Sequence, residues 1–127
     1  MKEFVGIDVS KDFVDVYYLE AEQRQRLPIE PSCLVDLAKQ IPASALVLLE
    51  ATGGYERPVV SSLRKAGLDV KVVNPKKVRD FARSRGILAK TDALDARVLA
   101  LFAQSMPLPV IEPPTEQEET LGRDATI

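Results

Sequence analysis

The sequence predicts an α/β domain: a mixed five-stranded sheet with an antiparallel opening and flanking helices. Three observations carry that expectation. Two β-rich segments, residues 3–9 and 12–19, are joined only by Ser10-Lys11, which makes the start of the chain an antiparallel hairpin. Residues 45–50 (Ala-Leu-Val-Leu-Leu-Glu) form a continuous apolar run of the kind buried on both faces of a sheet. From there helical and strand-like segments alternate, the pattern that builds parallel strands.

The elements follow in order. After the hairpin, residues 23–29 form a third strand with a weaker signal. Pro31-Ser32 opens a helix to about Lys39, with Leu34, Leu37 and Ala38 at helical spacing. The apolar strand 45–50 is broken by Gly53-Gly54. A helix then runs to Lys65, with Gly67 at its C′ position. Residues 68–73 form the fifth strand, and Asn74-Pro75 starts a helix to about Ser84. Residues 85–90 read as a mobile loop, and a last helix runs from Asp92 to about Gln104. The order β-β-β-α-β-α-β-α-α, opened by antiparallel strands, is that of the ribonuclease H-like fold. Residues 1–105 are therefore read as one folded domain. Beyond Met106 the composition shifts to Pro107, Pro109, Pro113 and Pro114, then Glu116, Glu118 and Glu119, so 106–127 is read as a Pro-rich acidic linker or tail.

Composition excludes several classes. The 127 residues suffice for a real core, and 46% hydrophobic with 28% charged residues describes a globular chain. No apolar run is long enough to span a bilayer, and Met1-Lys2-Glu3 leads straight into a strand without a signal-peptide h-region. The single Cys33 excludes an intrachain disulfide and fits a reducing cytoplasm. The absence of histidine removes the commonest general base and zinc ligand, leaving carboxylates, lysine, serine, tyrosine or a metal for any catalysis.

Four carboxylates stand out: Asp8, Glu50, Asp92 and Asp95. Asp8 interrupts the apolar run Phe4-Val5-Gly6-Ile7-Asp8-Val9, where a strand-end aspartate that merely bonds a turn fits poorly. Glu50 ends the buried strand before Ala51-Thr52-Gly53-Gly54-Tyr55, whose glycines let a backbone or phosphate approach; a Glu capping the next helix is the alternative. Asp92 and Asp95 have two readings of equal weight. With Asp92 as N-cap and Asp95 at N3 they form something close to a capping box; spacing i, i+3 also puts both on one face, within reach of a metal. Asp12 and Asp15 alternate with Phe13, Val14 and Val16 and read as turn or solvent-facing residues. Converging carboxylates are best explained by hard cations such as Mg²⁺, and the set suggests metal-dependent phosphoryl transfer.

The net charge of −2 hides a basic segment. From Lys71 to Lys90 there are seven basic residues and one acid, a local balance of +6, against five acids and one arginine from Glu112 to Asp124. Such runs are usually solvated helix faces. Here Lys76, Lys77, Arg79, Arg83, Arg85 and Lys90 flank the helix bearing Asp92 and Asp95, as a path for a phosphate backbone would. Tyr55 has two readings, a base-stacking platform or a packing residue.

Four blocks carry a family resemblance: Gly6-Ile7-Asp8-Val9-Ser10-Lys11, Glu50-Ala51-Thr52-Gly53-Gly54-Tyr55, Val73-Asn74-Pro75 and Lys90-Thr91-Asp92-Ala93-Leu94-Asp95-Ala96. In this order they resemble the N-terminal domain of bacterial insertion-sequence transposases of the DEDD type, related to the Piv DNA invertase. The resemblance covers about residues 3–104. It implies a RuvC-like domain whose acidic tetrad falls on Asp8, Glu50, Asp92 and Asp95 and holds two Mg²⁺ (or Mn²⁺) ions beside the reacting phosphodiester. It also implies DNA as substrate for strand cleavage and transfer, a structured guide RNA as second partner, homo-oligomers in full-length members, and a bacterial cytoplasmic location. Family members continue into a helical segment and a second domain with a serine nucleophile. This chain stops at Ile127, and Ser10, Ser32, Ser44, Ser61, Ser62, Ser84 and Ser105 lie in no matching context. The expectation is an isolated or truncated N-terminal domain that binds metal without completing recombination. The competing readings are a stand-alone junction nuclease, a member of the actin-like ATPase and sugar-kinase group, and a non-catalytic domain whose carboxylates only cap helices and pair with Lys or Arg.

Overall fold

The structure, a computed structural model, describes residues 2–87 and 95–105. Lys90, Asp92 and the segment 106–127 lie outside the described residues. Five strands, β1 (Phe4–Val9), β2 (Phe13–Tyr18), β3 (Gln23–Pro28), β4 (Leu46–Glu50) and β5 (Asp69–Val73), each fall within a residue of the expected bounds. Four helices accompany them: α1 (Pro31–Gln40), α2 (Arg57–Lys65), α3 (Pro75–Ser84) and α4 (Ala96–Ser105).

The sheet order is β3-β2-β1-β4-β5. β1–β2 and β2–β3 pair antiparallel, whereas β1–β4 and β4–β5 pair parallel. This is the mixed sheet with ribonuclease H-like strand order that the element sequence predicts.

Strand side chains alternate between two helical layers. Val5, Ile7, Val14, Val16, Val47 and Leu49 point to one side and are covered by Leu34 and Leu37 of α1 and Val59, Val60 and Leu63 of α2. On the other side Leu46 and Leu48 meet Val78 and Ala82 of α3 and Val98, Leu99 and Ala103 of α4. By the same alternation Gly6, Asp8 and Glu50 belong to the α3/α4 side. β1 and β4 are thus buried on both faces, which is why β4 reads as an unbroken apolar run.

Gly6 sets how closely α4 lies on β1. A Cβ at Gly6 would meet the Ala96 carbonyl oxygen at far less than contact distance and the Ala100 nitrogen at 2.6 Å. Both atoms are helix backbone, which cannot rotate aside. The helix answers with small residues on that face: Ala96 and Ala100 are buried with Tyr17.

α3 is held at both ends. The Asn74 side chain accepts a hydrogen bond from the Lys76 N–H at 2.8 Å, and Pro75 stands at the first helical position, where its missing N–H costs nothing. At the C-terminus Gly86 takes φ +70°, its N–H donates to the Arg83 carbonyl at 3.1 Å, and the Ile87 N–H reaches back to Ala82 at 2.8 Å. These paired bonds form a Schellman motif. Gly67 ends α2 the same way, at the predicted C′ position. Residues 85–87 therefore close α3 with defined bonds, which corrects the reading of the whole stretch from 85 as a mobile loop; residues 88–90 lie outside the described residues.

Candidate functional site

β1 and β4 run parallel, with Ile7 opposite Leu49. The next residues, Asp8 and Glu50, are therefore neighbours at the carboxyl ends of adjacent strands, where open α/β sheets hold their sites. Both are half-buried. Burial, then the charges of Asp15 and Asp95, raises the Asp8 carboxyl above its ordinary value, while Arg26 pulls it down. Burial and the Asp8 charge likewise raise Glu50, opposed by Arg79. Glu50 Oε2 is buried and, among the described residues, accepts no hydrogen bond. An alternative role for Glu50, capping the following helix, is not what is seen: α2 begins at Arg57.

Asp95 reaches the same place from the other layer. α4 starts at Ala96, so Asp95 is its N-cap, and Asp95 Oδ1 accepts the Val98 N–H at 3.0 Å. This corrects the expected position of Asp95 at N3 of a helix beginning at Asp92. Capping leaves Asp95 exposed and close enough for its charge to act on Asp8. The close approach at Gly6 is what brings it there. Asp92, the fourth expected carboxylate, lies outside the described residues.

Asp15, read as a turn or solvent-facing residue, keeps 37% of its side chain exposed but also faces the site. It pairs in register with Asp8 across β1 and β2, so both project to the α4 side. It is half-buried and held by a bidentate ion pair with Arg26, Nε to Oδ1 at 2.8 Å and Nη2 to Oδ2 at 3.1 Å. Asp8, Asp15, Arg24, Arg26 and Asp95 line one pocket of about 270 Å³ on this face. The alternation Gln23-Arg24-Gln25-Arg26, which puts both arginines on one side of β3, is the sequence signal that could have found them.

Of the expected basic path, Arg79 alone among these residues acts on Glu50. Lys76 and Arg83 lie near Asp80, at 3.7 and 3.8 Å, and Arg85 stacks over the Phe81 ring at 5.0 Å. Lys77 is exposed, and Lys90 is outside the described residues. Tyr55 is 51% exposed, so it is not a core residue. Its loop is organised by Glu56, which sequence reasoning passed over. Glu56 Oε1 accepts from the Thr52 N–H, the Thr52 hydroxyl and the Gly54 N–H. Bonds from its own backbone N–H and from Thr52 hold its carboxyl down at about 2.

The donor chemistry suits a hard divalent cation: carboxylates only, two of them raised by burial and by neighbouring carboxylate charge, one with a buried oxygen that has no partner among the described residues. Among the described residues no three His, Cys, Asp or Glu side chains are grouped so as to hold an ion by themselves. Also among the described residues, no helix is long and apolar enough to cross a membrane.

Asp8, Glu50 and Asp95 thus come together at the carboxyl edge of the central parallel strands. The chain belongs to the DEDD transposases of the IS110 type, whose family model, described as a transposase, matches residues 5–124. DEDD transposases generally use divalent metals. Over 125 residues the chain is 26% identical to a pilin gene-inverting protein of Moraxella lacunata and 25% identical to one of Moraxella bovis. Each match covers 92% of this chain but 39% of the relative, so the chain spans well under half the length of these curated proteins. Among solved structures, T. thermophilus RuvC in complex with Holliday junction substrate aligns with a TM-score of 0.49 at 14% identity, over 79% of this chain and 87% of that one.

Proposed function

We propose that this chain is the acidic, metal-binding domain of an insertion-sequence transposase acting on DNA. In this reading Asp8, Glu50, Asp95 and Asp92 hold two divalent ions, Mg²⁺ or Mn²⁺, and residues 1–105 form the catalytic domain while 106–127 lead on from it. The ions, when bound, would stabilise the attacking and leaving oxygens of an in-line phosphodiester displacement. The protein's part is to aim the donors. Asp8 and Glu50 are fixed by strand register, and Asp95 is fixed by its cap, which uses Oδ1 and leaves Oδ2 as the oxygen assigned to the ion. Arg79 and the exposed cations Lys76, Lys77, Arg83 and Arg85, together with Lys90 and Tyr55, would meet the nucleic-acid strand. A guide RNA and homo-oligomerisation belong to the proposal for the longer protein, as does the bacterial cytoplasm. Complete recombination draws on regions that the relatives have beyond the length matched here.

One observation carries this reading: the buried Oε2 of Glu50, without a hydrogen-bond partner among the described residues, beside the Asp8 carboxylate. An ionised oxygen with no donor is costly in a half-buried site, and a bound cation removes that cost. The test is Mn²⁺ binding by calorimetry on the wild type, Asp8→Asn and Asp92→Asn. Saturable binding lost in both variants supports one shared site. Loss in Asp8→Asn alone supports a half-site built by the strands. No binding by the wild type sinks the metal reading.

A further inference from the structure

We infer that Arg24 and Arg26 of β3 form a phosphate clamp for the nucleic-acid strand presented to the acidic centre. The inference rests on the proposed function and adds a contact surface on the opposite side of the centre from α3. β3 is an edge strand, and its register sets Arg24 opposite Tyr17 and Arg26 opposite Asp15. Both arginines therefore stand on the face that bears Asp8, and both line the pocket with Asp8 and Asp95.

The two guanidiniums are held in different ways, and both ways leave donors outward. Arg24 lies over the Tyr17 ring, 5.0 Å from its centroid, and forms no ion pair among the described residues. Arg26 lies over Phe13 at 5.1 Å while Asp15 grips its Nε and Nη2, so Nη1 is left over. Stacking on an aromatic face fixes the plane of a guanidinium without using its N–H groups, which reduces the ordering needed when a phosphate arrives. Residues two apart on a strand are about 6.8 Å apart, a spacing that suits two neighbouring phosphates of one strand. Edge-strand charge also deters sheet-to-sheet association. That role does not require arginine, aromatic stacking, or placement over a pocket of carboxylates.

The contrast with α3 favours this side. Lys76 and Arg83 there lie close to Asp80, whereas Arg24 has no carboxylate competing for it among the described residues. In Arg26 the Asp15 pair also keeps the second carboxylate opposite Asp8 compensated.

The experiment is fluorescence anisotropy with labelled single-stranded DNA and with RNA of the same sequence. It is run in Ca²⁺ across a salt series, on the whole chain and on Arg24→Gln. A double variant, Arg26→Gln with Asp15→Asn, keeps the charge balance of the second pair. Lys39→Gln, on the α1 layer, is the control, and melting curves and Mn²⁺ calorimetry accompany each protein. The expected result for Arg24→Gln is about tenfold weaker binding, with the slope of log affinity against log salt smaller by about 0.7, unchanged melting and unchanged Mn²⁺ binding. Equal losses on DNA and RNA identify the phosphate as the ligand; loss on one alone identifies which strand the clamp serves. An unchanged salt slope in both Arg variants, an equal loss from Lys39→Gln, or no strand binding by the wild type overturns the clamp, even if Mn²⁺ still binds. Arg24-dependent strand binding by a wild type that does not bind Mn²⁺ would instead overturn the metal reading and leave the clamp standing.

Discussion

Replacing Gly6 with alanine should loosen α4 from the sheet and dismantle the acidic centre together with it. The added Cβ would sit 2.6 Å from the Ala100 nitrogen and closer still to the Ala96 carbonyl oxygen. Optimal carbon contacts lie at about 3.5–4.0 Å, so the helix must retreat by about 1 Å or more. Nothing flexible stands in between, because both opposing atoms are backbone. Overpacking of this kind typically costs about 1–3 kcal/mol. A helix that retreats also uncovers Val98 and Leu99, which are now 3% and 0% exposed; complete loss of that burial is worth about 1.5–3 kcal/mol for each side chain. The expected destabilisation is therefore about 3 kcal/mol, or roughly 12–24 °C in Tm for a domain of this size. Thermal unfolding followed by circular dichroism reads the stability, and Mn²⁺ calorimetry on the same protein reads the site. The reasoning is refuted if Gly6→Ala melts with the wild type, since α4 would then not lie against β1 as described.

Three further outcomes are expected. Asp8→Asn and Glu50→Gln should each stabilise the metal-free domain at pH 7, because both carboxyls are raised in the folded state by burial and by neighbouring charge. For such groups the native state binds the extra proton, so stability falls as pH rises through the unfolded value towards the folded one; the gain in the variants should vanish below about pH 4 in melting curves, and a gain that persists there would contradict the electrostatic account. Asp95→Ser keeps an N-cap oxygen while removing the carboxylate, so it should melt within about 1 kcal/mol of wild type yet weaken Mn²⁺ binding; unaltered binding would leave Asp95 a helix cap and nothing more. Glu56→Gln should cost about 1–2 kcal/mol after allowance for solvent screening, by weakening the bonds that order Thr52 and Gly54. Because the Glu56 carboxyl is held at about 2, its contribution should be full above pH 4.5 and fade as pH falls towards 2, and a flat acid profile in the difference between the two proteins would refute it.

What the sequence determined by itself was local. Hydrophobic period, Pro and Gly punctuation and strand lengths specify where β1 to β5 and α1 to α3 begin and end, because these follow from backbone geometry and short-range burial. The polar interruptions at Asp8 and Glu50 were legible for the same reason: a charge in an apolar run is conspicuous without knowing its partner. Tertiary structure decided which residues meet. Asp15 alternates along β2 like any edge residue, and only the register with β1 sets it opposite Asp8. Arg24 and Arg26 look like solubilising charges until β3 takes its place at the edge of the same face. Asp95 has the composition of a helix start either way, and it comes beside Asp8 because a glycine in β1 admits α4 at backbone contact. Such convergence depends on pairings far apart in the chain, and no periodicity within one segment encodes them.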